Sequence, residues 1–315
     1  MAASFVIALA VFLGLLLFLY QQVRRAAWPI ALGETPRRPK SKWRVVFATI
    51  PVVIVAGVIW AFFIEPNRLI VRNQTIQISE WPRELSGIRI AVISDIHVGS
   101  RFIDDDKLRL IVSRTNELKP DLIVILGDYI TGRGRDTDPP ERFSAILKGF
   151  EAPLGVYSVL GNHDWWFDGS RVRNALEANG IHVLDNEVTE VKFQSGSFWL
   201  VGLADLWTRP QRIEETVSQV PEGRPIIALA HNPDIFPNLP RRVQLLLAGH
   251  THGGQVRFPL IGAVVQASDY GQRYARGHVF EQDHHLFVTT GIGTSIIPVR
   301  FGVPPEIALL TIAAQ

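Results

Sequence analysis

Five times along this 315-residue chain, a short, mainly apolar run ends abruptly in aspartate, asparagine or histidine. The junctions are Asp95-Ile96-His97, Gly127-Asp128, Gly161-Asn162-His163-Asp164, His231-Asn232 and the run Gly249-His250-Thr251-His252-Gly253-Gly254-Gln255. The runs before them (88–94, 122–126, 156–160, 226–230 and 245–248) read as buried strands. Loops at the carboxyl ends of such strands are where open α/β sheets build their sites. One edge of one sheet system therefore collects the metal-type side chains.

Amphipathic stretches fill the intervals. Residues 104–118 place Leu108, Ile111, Val112 and Leu118 at helical spacing, with acids in the first turn. Residues 145–150 read as the end of a helix, and 170–179 as a helix that Gly180 closes. Residues 188–193 and 198–203 alternate as paired strands around Ser195-Gly196, and 286–290 and 307–312 are strand-like. This order predicts an α/β fold with two sheets packed face to face and helices outside.

A hydrophobic fraction of 47% is high for a soluble chain. The excess lies in residues 3–20 and 46–64, which carry no charge. Each is near the ~20 residues an apolar helix needs to cross a bilayer. No basic residue precedes the first run, as a signal peptide would require. Between them, residues 21–45 hold Arg24, Arg25, Arg37, Arg38, Lys40, Lys42 and Arg44 against Glu34 alone. A short loop this basic stays cytoplasmic. The expectation is a two-helix transmembrane hairpin over 1–64 with cytoplasmic loop 21–45, a juncture over 65–86 and one domain over 87–315. The domain would face the periplasm or exterior of a bacterial inner membrane. The basic pI near 9 is then a topology signal, and no nucleic-acid partner is expected. Cysteine is absent, which excludes a thiol nucleophile and thiolate zinc sites.

Asp95 and His97 stand two apart at a strand end, so both side chains reach one face. Alone, Asp-x-His reads equally as an aspartate turn beside a surface histidine. Asp128 projects past its sheet, and a carboxylate can bridge two cations. Asn162 offers an amide oxygen, ordinary for hard cations and rare for zinc. His163 beside Asp164 offers an acid/base and a group to orient it. His231, His250 and His252 add imidazoles, and Gly253-Gly254 permits close backbone approach. Five of the nine histidines lie at such strand ends, too many for coincidence. The set suits Mn, Fe, Zn, Co or Ni without selecting among them.

Asp-x-His, Gly-Asp, Gly-Asn-His-Asp, His and Gly-His-x-His, in that order over residues 88–312, resemble the calcineurin-like metallophosphoesterase superfamily. Within it they are most similar to the small bacterial membrane-associated phosphodiesterases. The resemblance implies a four-layer α/β/β/α sandwich of two mixed sheets with two divalent metal ions between them. It implies that Asp95, His97, Asp128 and His252 take the first ion, and Asp128, Asn162, His231 and His250 the second. His163, with Asp164 beside it, would be catalytic, stabilising the transition-state charge or protonating the leaving oxygen.

The expected activity is hydrolysis of phosphodiester or pyrophosphate bonds by a metal-bound hydroxide, with no protein nucleophile. A phosphorylated small molecule or a lipid-linked phosphate would be the substrate. A UDP-sugar-lipid pyrophosphatase acting at the cytoplasmic face is the alternative, and it conflicts with the charge-based topology. A binding scaffold is disfavoured because no ligand position is missing. Around the site, Trp165, Trp166 and Phe167 could stack on substrate or simply pack. Arg101, Arg133 and Arg135 are possible phosphate contacts, and Asp205 ends a strand nearby.

Overall fold

A computed structural model describes Gln21, residues 42–131 and residues 139–315. The chain separates into two compact units, Met1–Phe63 and Ile64–Gln315. The first expected span, 3–20, and most of the basic loop lie outside the described residues. Helix α1 (Lys42–Ile59) contains Pro51 and runs on through a π turn (Trp60–Ile64) and a 3-10 turn (Glu65–Asn67). The stretch apolar enough to cross a membrane is Thr49–Asn67, 19 residues of mean hydropathy 2.0, and it is the one such helix among the described residues. It extends past the expected end at residue 64 because helical turns continue through Glu65 and Pro66, both buried.

The second unit holds two six-stranded mixed sheets. In the first, the order is β1 (Ile70–Ile78), β14 (Glu306–Ala314), β2 (Ile88–Ile93), β3 (Leu122–Ile125), β4 (Val156–Ser158) and β5 (Ile181–Val183). Strands β2 to β5 are mutually parallel, whereas β14 runs antiparallel to β2. In the second, the order is β12 (Gly277–Glu281), β13 (His284–Val288), β9 (Leu245–Ala248), β8 (Ile226–Leu229), β7 (Gly196–Gly202) and β6 (Glu187–Phe193). Here β13, β9, β8 and β7 are parallel and the two edge strands antiparallel. A short hairpin, β10 (Arg257–Phe258) and β11 (Gly262–Ala263), stands apart from both.

Uninterrupted apolar runs follow from burial on both faces. In β2, Ile88, Ile90 and Val92 face the second sheet, where they meet Leu200, Ile227, Leu229, Leu245 and Leu247. Ala91 and Ile93 face the opposite way, onto α2 (Asp105–Glu117), α3 (Pro140–Leu147) and α4 (Asn162–Glu177). The other face of the second sheet is covered by α5 (Ile213–Ser218), the turn Pro233–Asn238 and Tyr274. The expected pair of stacked sheets is therefore present.

Two sequence expectations change. Residues 65–86 are not merely a juncture: they contain β1, which pairs in parallel with β14 from Ile70↔Glu306 to Ile78↔Ala314. Its polar run, Arg72, Asn73, Gln74 and Thr75, suits an edge strand and shows no partner in local sequence. The helix expected from 170 is preceded by an extra turn: α4 starts at Asn162 and kinks at Asp168, whose extended backbone and side chain, accepting from Arg171 N at 3.0 Å, open the expected segment. Asp164 closes its first turn by accepting from the Gly161 amide at 2.9 Å. The Gly161-to-Asp164 motif is thus a helix start.

Candidate metal centre

Parallel strands β2, β3, β4, β8 and β9 all end on one side, and the loops that follow are stitched together there. Asp95 N donates to Gly127 O at 2.9 Å, His97 N to Asp128 O at 3.0 Å, and Gly249 N to His231 O at 2.9 Å. Two glycines permit this crowding. A Cβ on Gly161 would collide with Asp128 Oδ1 and stand 2.8 Å from His231 Cε1. A Cβ on Gly291 would lie 2.7 Å from Asp95 Cβ. Asp95, His97, Asp128, His250 and His252 all have φ between 51° and 68°. This left-handed backbone costs non-glycine residues free energy and persists where surrounding structure enforces it.

The side chains converge on two neighbouring points. Asp95, His97 and His252 bring donor atoms within 4.8 Å of one another, as do Asp128, His231 and His250, and as do His97, Asp128 and His163. His97 Nε2 lies 3.0 Å from His252 Nε2, and His231 Nε2 lies 3.0 Å from His250 Nδ1. Asp128 Oδ2 stands between these pairs, 3.7 Å from His97 Nε2 and 3.3 Å from His231 Nε2. Its other oxygen accepts from the His163 amide at 2.9 Å. His231 Nδ1 donates to Leu126 O at 2.7 Å, which turns Nε2 into the site. The His250 amide donates to Asp95 Oδ2 at 3.0 Å and leaves Oδ1 inward.

Asp95 Oδ1, Asn162 Oδ1 and His250 Nε2 are buried with no hydrogen-bond partner among the described residues. Buried polar atoms are rarely left so. Oxygens and imidazole nitrogens without thiolate form a donor set for borderline to hard divalent cations. The residues therefore fit metal binding.

Electrostatics point the same way. Burial pulls His97 and His250 down to about 3 and His252 well below its ordinary value, so each imidazole is neutral, the form that ligates. Burial raises Asp95 to about 6. Burial also opposes charge on Asp128, but His231 overrides it and holds the carboxyl far below the usual range. Reciprocally, Asp128 outweighs burial and lifts His231 to about 10. A proton on His231 and a divalent cation answer the same need, positive charge facing a buried carboxylate.

Asp164 is fully buried. Its carboxylate accepts from Asp128 N at 2.8 Å, Tyr129 N at 2.9 Å and Gly161 N. It holds the Asp128 loop and caps α4. His163 is half-buried on the first turn of α4, its ring 4.8 Å from His97 and edge-on to it. Arg133 and Arg135 lie outside the described residues, and Arg101 packs over Phe102. Asp205 is buried and accepts from Trp207 N and Thr208 N, fixing a turn beside the site. That turn presents Trp207 edge-on to His250 at 4.3 Å and 6.4 Å from Trp166, which in turn touches His163 at 4.9 Å. Trp207 has no motif around it and was not foreseen.

Arg300 was also unforeseen. It is fully buried beneath His252, with Nη2 3.5 Å from His252 Nδ1. It donates to the carbonyls of Gly293, Thr290 and Val303. The glycine spacing Gly291-Ile292-Gly293 after an apolar strand was the available signal for a close approach there.

Stacked mixed sheets with carboxylates, an amide and imidazoles crowded at their joined strand ends define a metal-dependent hydrolase. Residues 88–254 match the calcineurin-like phosphoesterase family, to which this chain belongs. It is a metal-dependent phosphoester hydrolase. It is 31% identical over 262 residues to the uncharacterized metallophosphoesterase YkuE of Bacillus subtilis (strain 168), covering 80% of this chain and 88% of that one. It is 31% identical over 234 residues to the phosphodiesterase YaeI of Escherichia coli (strain K12), covering 70% and 81%. A transmembrane protein with metallophosphoesterase domain from Danio rerio is 32% identical over 255 residues, covering 74% of this chain and 54% of that protein.

Proposed function

We propose that this chain is a membrane-anchored dinuclear phosphoesterase that cleaves phosphodiester or pyrophosphate bonds, with a lipid-linked phosphate as the favoured substrate class. The observation that carries the reading is Asp128 Oδ2 between two imidazole pairs. Asp95, His97, Asp128 and His252 would hold one ion, and Asp128, Asn162, His231 and His250 the other. Bound there, the ions would neutralise phosphate charge and lower the pKa of an attacking water. His163 would hydrogen-bond a phosphoryl oxygen or give a proton to the leaving oxygen. Asp164 fixes the loop that aims Asp128. Trp166 and Trp207 wall the approach and exclude water from one side.

The name of the YaeI relative supports a diester preference. The apolar helix Thr49–Asn67 and the designation of the zebrafish relative support membrane association. Residues 1–64 are read as a two-helix hairpin with loop 21–45 in the cytoplasm and the catalytic unit in the periplasm. Its basic loop supports this orientation. A carboxyl-terminal reporter active in the cytoplasm would reverse it and favour the sugar-nucleotide lipid substrate.

The direct test uses the full chain in detergent, stripped by chelator and resupplied with Mn²⁺. Turnover of bis-p-nitrophenyl phosphate should require metal, exceed turnover of the monoester and vanish in Asp128→Asn. Metal-independent turnover, or full activity in that variant, would refute the dinuclear reading.

A further inference from the structure

The hairpin that follows His252 carries apolar side chains into solvent. Leu260 at its tip is fully exposed and Ile261 is 70% exposed. Val264 and Val265 leave the hairpin equally bare, at 60% and 73%. A second loop adds Ile296, 82% exposed, and Ile297. The two loops form one surface. The Gln255 amide donates to Ser295 O at 3.0 Å and accepts from Ser295 N at 2.8 Å. Arg257 N donates to Phe301 O at 2.7 Å, and the Phe258 and Phe301 rings meet at 5.2 Å. An apolar patch of this kind on a soluble surface marks an interaction site.

The backbone sharpens the point. Leu260 and Ile296, the most exposed apolar residues of the two loops, have φ of 68° and 63°. Glycine or asparagine is the ordinary occupant of that conformation, and a β-branched side chain there is an outlier. Each tip thus combines an unfavourable backbone with an unfavourable exposure, and neither serves the packing of the domain.

Three observations select the occupant. First, the second loop is tied to the start of the catalytic unit: Ile70, three residues after the apolar stretch Thr49–Asn67 ends, donates its amide to Pro305 O at 2.9 Å, four residues after that loop. Second, Arg257 and Arg276 accompany the apolar tips in sequence. Arg257 lies on the hairpin itself, within electrostatic range of Arg276, and neither closes an ion pair among the described residues. Apolar tips accompanied by arginines are the pattern of a segment seated at the headgroup boundary of an anionic bilayer. Third, the patch borders the metal centre. A Cβ on Gly254, two residues after His252, would run into Ala263 of the hairpin.

We infer that the loops 256–265 and 295–301 dock into the lipid surface and bring the mouth of the metal centre to headgroup level. This rests on the membrane-anchored reading and adds a second, shallow contact made by the catalytic unit itself. It narrows the substrate class to phosphates displayed at a bilayer surface.

The chain has no cysteine, so single thiols can be placed cleanly. Leu260→Cys, Ile296→Cys and Glu222→Cys are made in the full chain, each labelled with an environment-sensitive fluorophore. Glu222 serves as the control because it is exposed in the turn before β8, at the opposite ends of the strands. The proteins are reconstituted in phosphatidylcholine vesicles with a minority of phosphatidylglycerol and a shallow spin-labelled lipid. Hydrolysis of the soluble diester in detergent should be unchanged in all three. The probes at 260 and 296 should be quenched about twofold or more, and the probe at 222 barely. Equal, weak quenching at all three positions in vesicle-bound protein would overturn the inference and leave the anchoring intact. Quenching that follows protein concentration, not spin-labelled lipid, would assign the patch to a second copy of the chain and also overturn it. Failure of the protein to float with vesicles would refute anchoring and docking together.

Discussion

Replacing Arg300 with methionine tests whether the floor of the metal centre is held as described. The guanidinium is fully buried and donates through Nε at 3.0 Å to Gly293 O, through Nη1 at 3.1 Å to Val303 O, and through Nη2 at 3.0 Å to Thr290 O and 2.6 Å to Gly293 O. Burial pulls its pKa down to about 10 despite the pull of Asp95, Glu306 and Glu65, so desolvation is a real cost in the wild type. Removing it leaves three buried carbonyls without this donor, at about 1–3 kcal/mol each, and recovers part of that desolvation cost. The net is a loss of about 2–4 kcal/mol. For a domain of this size that corresponds to a Tm lower by roughly 5–15 °C. Arg300→Lys should fare no better, because three donors from one nitrogen cannot span three carbonyls. Thermal unfolding of the full chain in detergent, followed by circular dichroism at fixed metal, gives the answer. A drop below about 2 °C in both variants would mean that the carbonyls are satisfied without Arg300 and that the reasoning fails.

Gly161→Ala should weaken metal binding by about 10-fold or more, because its Cβ would displace Asp128 and crowd His231. Calorimetric Mn²⁺ titration reads this directly, and an unchanged affinity would contradict the packing. Trp207→Ala removes the ring set edge-on to His250. KM for aryl diesters should rise about 3–10-fold with kcat nearly kept, whereas an equal loss in kcat would place Trp207 in the chemistry instead. The third expectation concerns mild acid. Burial, then His278 and His284, pull His285 down to about 4, from an unfolded value near 6.5. The unfolded chain therefore binds more protons between these values. This contribution is whole above about pH 6.5 and is lost as pH falls through about 4. His285→Gln should narrow the Tm difference between pH 7.5 and pH 5, and an unchanged difference would exclude His285 as a source.

What could be read from residue order was what depends on local pattern. Apolar runs ending in Asp95, Asp128, Asn162, His231 and His250 located strand ends, and parallel strands bring their ends together. Hence the structure gathers the predicted side chains without any knowledge of the partner strands. The bonds Asp164 accepts from the Asp128, Tyr129 and Gly161 amides could not be read from its adjacency to His163, because on a helix neighbours in sequence point apart. Arg300 and Trp207 escaped because their roles depend on what lies across the fold: three carbonyls in one case, His250 and Trp166 in the other. The strand over residues 70–78 escaped for the same reason, since its pairing partner is at the far end of the chain.

That last pairing has a consequence for biosynthesis. Strand β14 lies between β1 and β2, and 234 positions separate Arg72 from its ion-pair partner Glu306. At ~5–20 residues per second, ribosomes take roughly 10–50 s to cover that distance. Throughout that interval the first sheet has a gap between its first two strands, with β1 unpaired and one edge of β2 bare. The nascent chain is thus exposed to misassociation throughout that interval, and a product truncated before Glu306 cannot close its sheet.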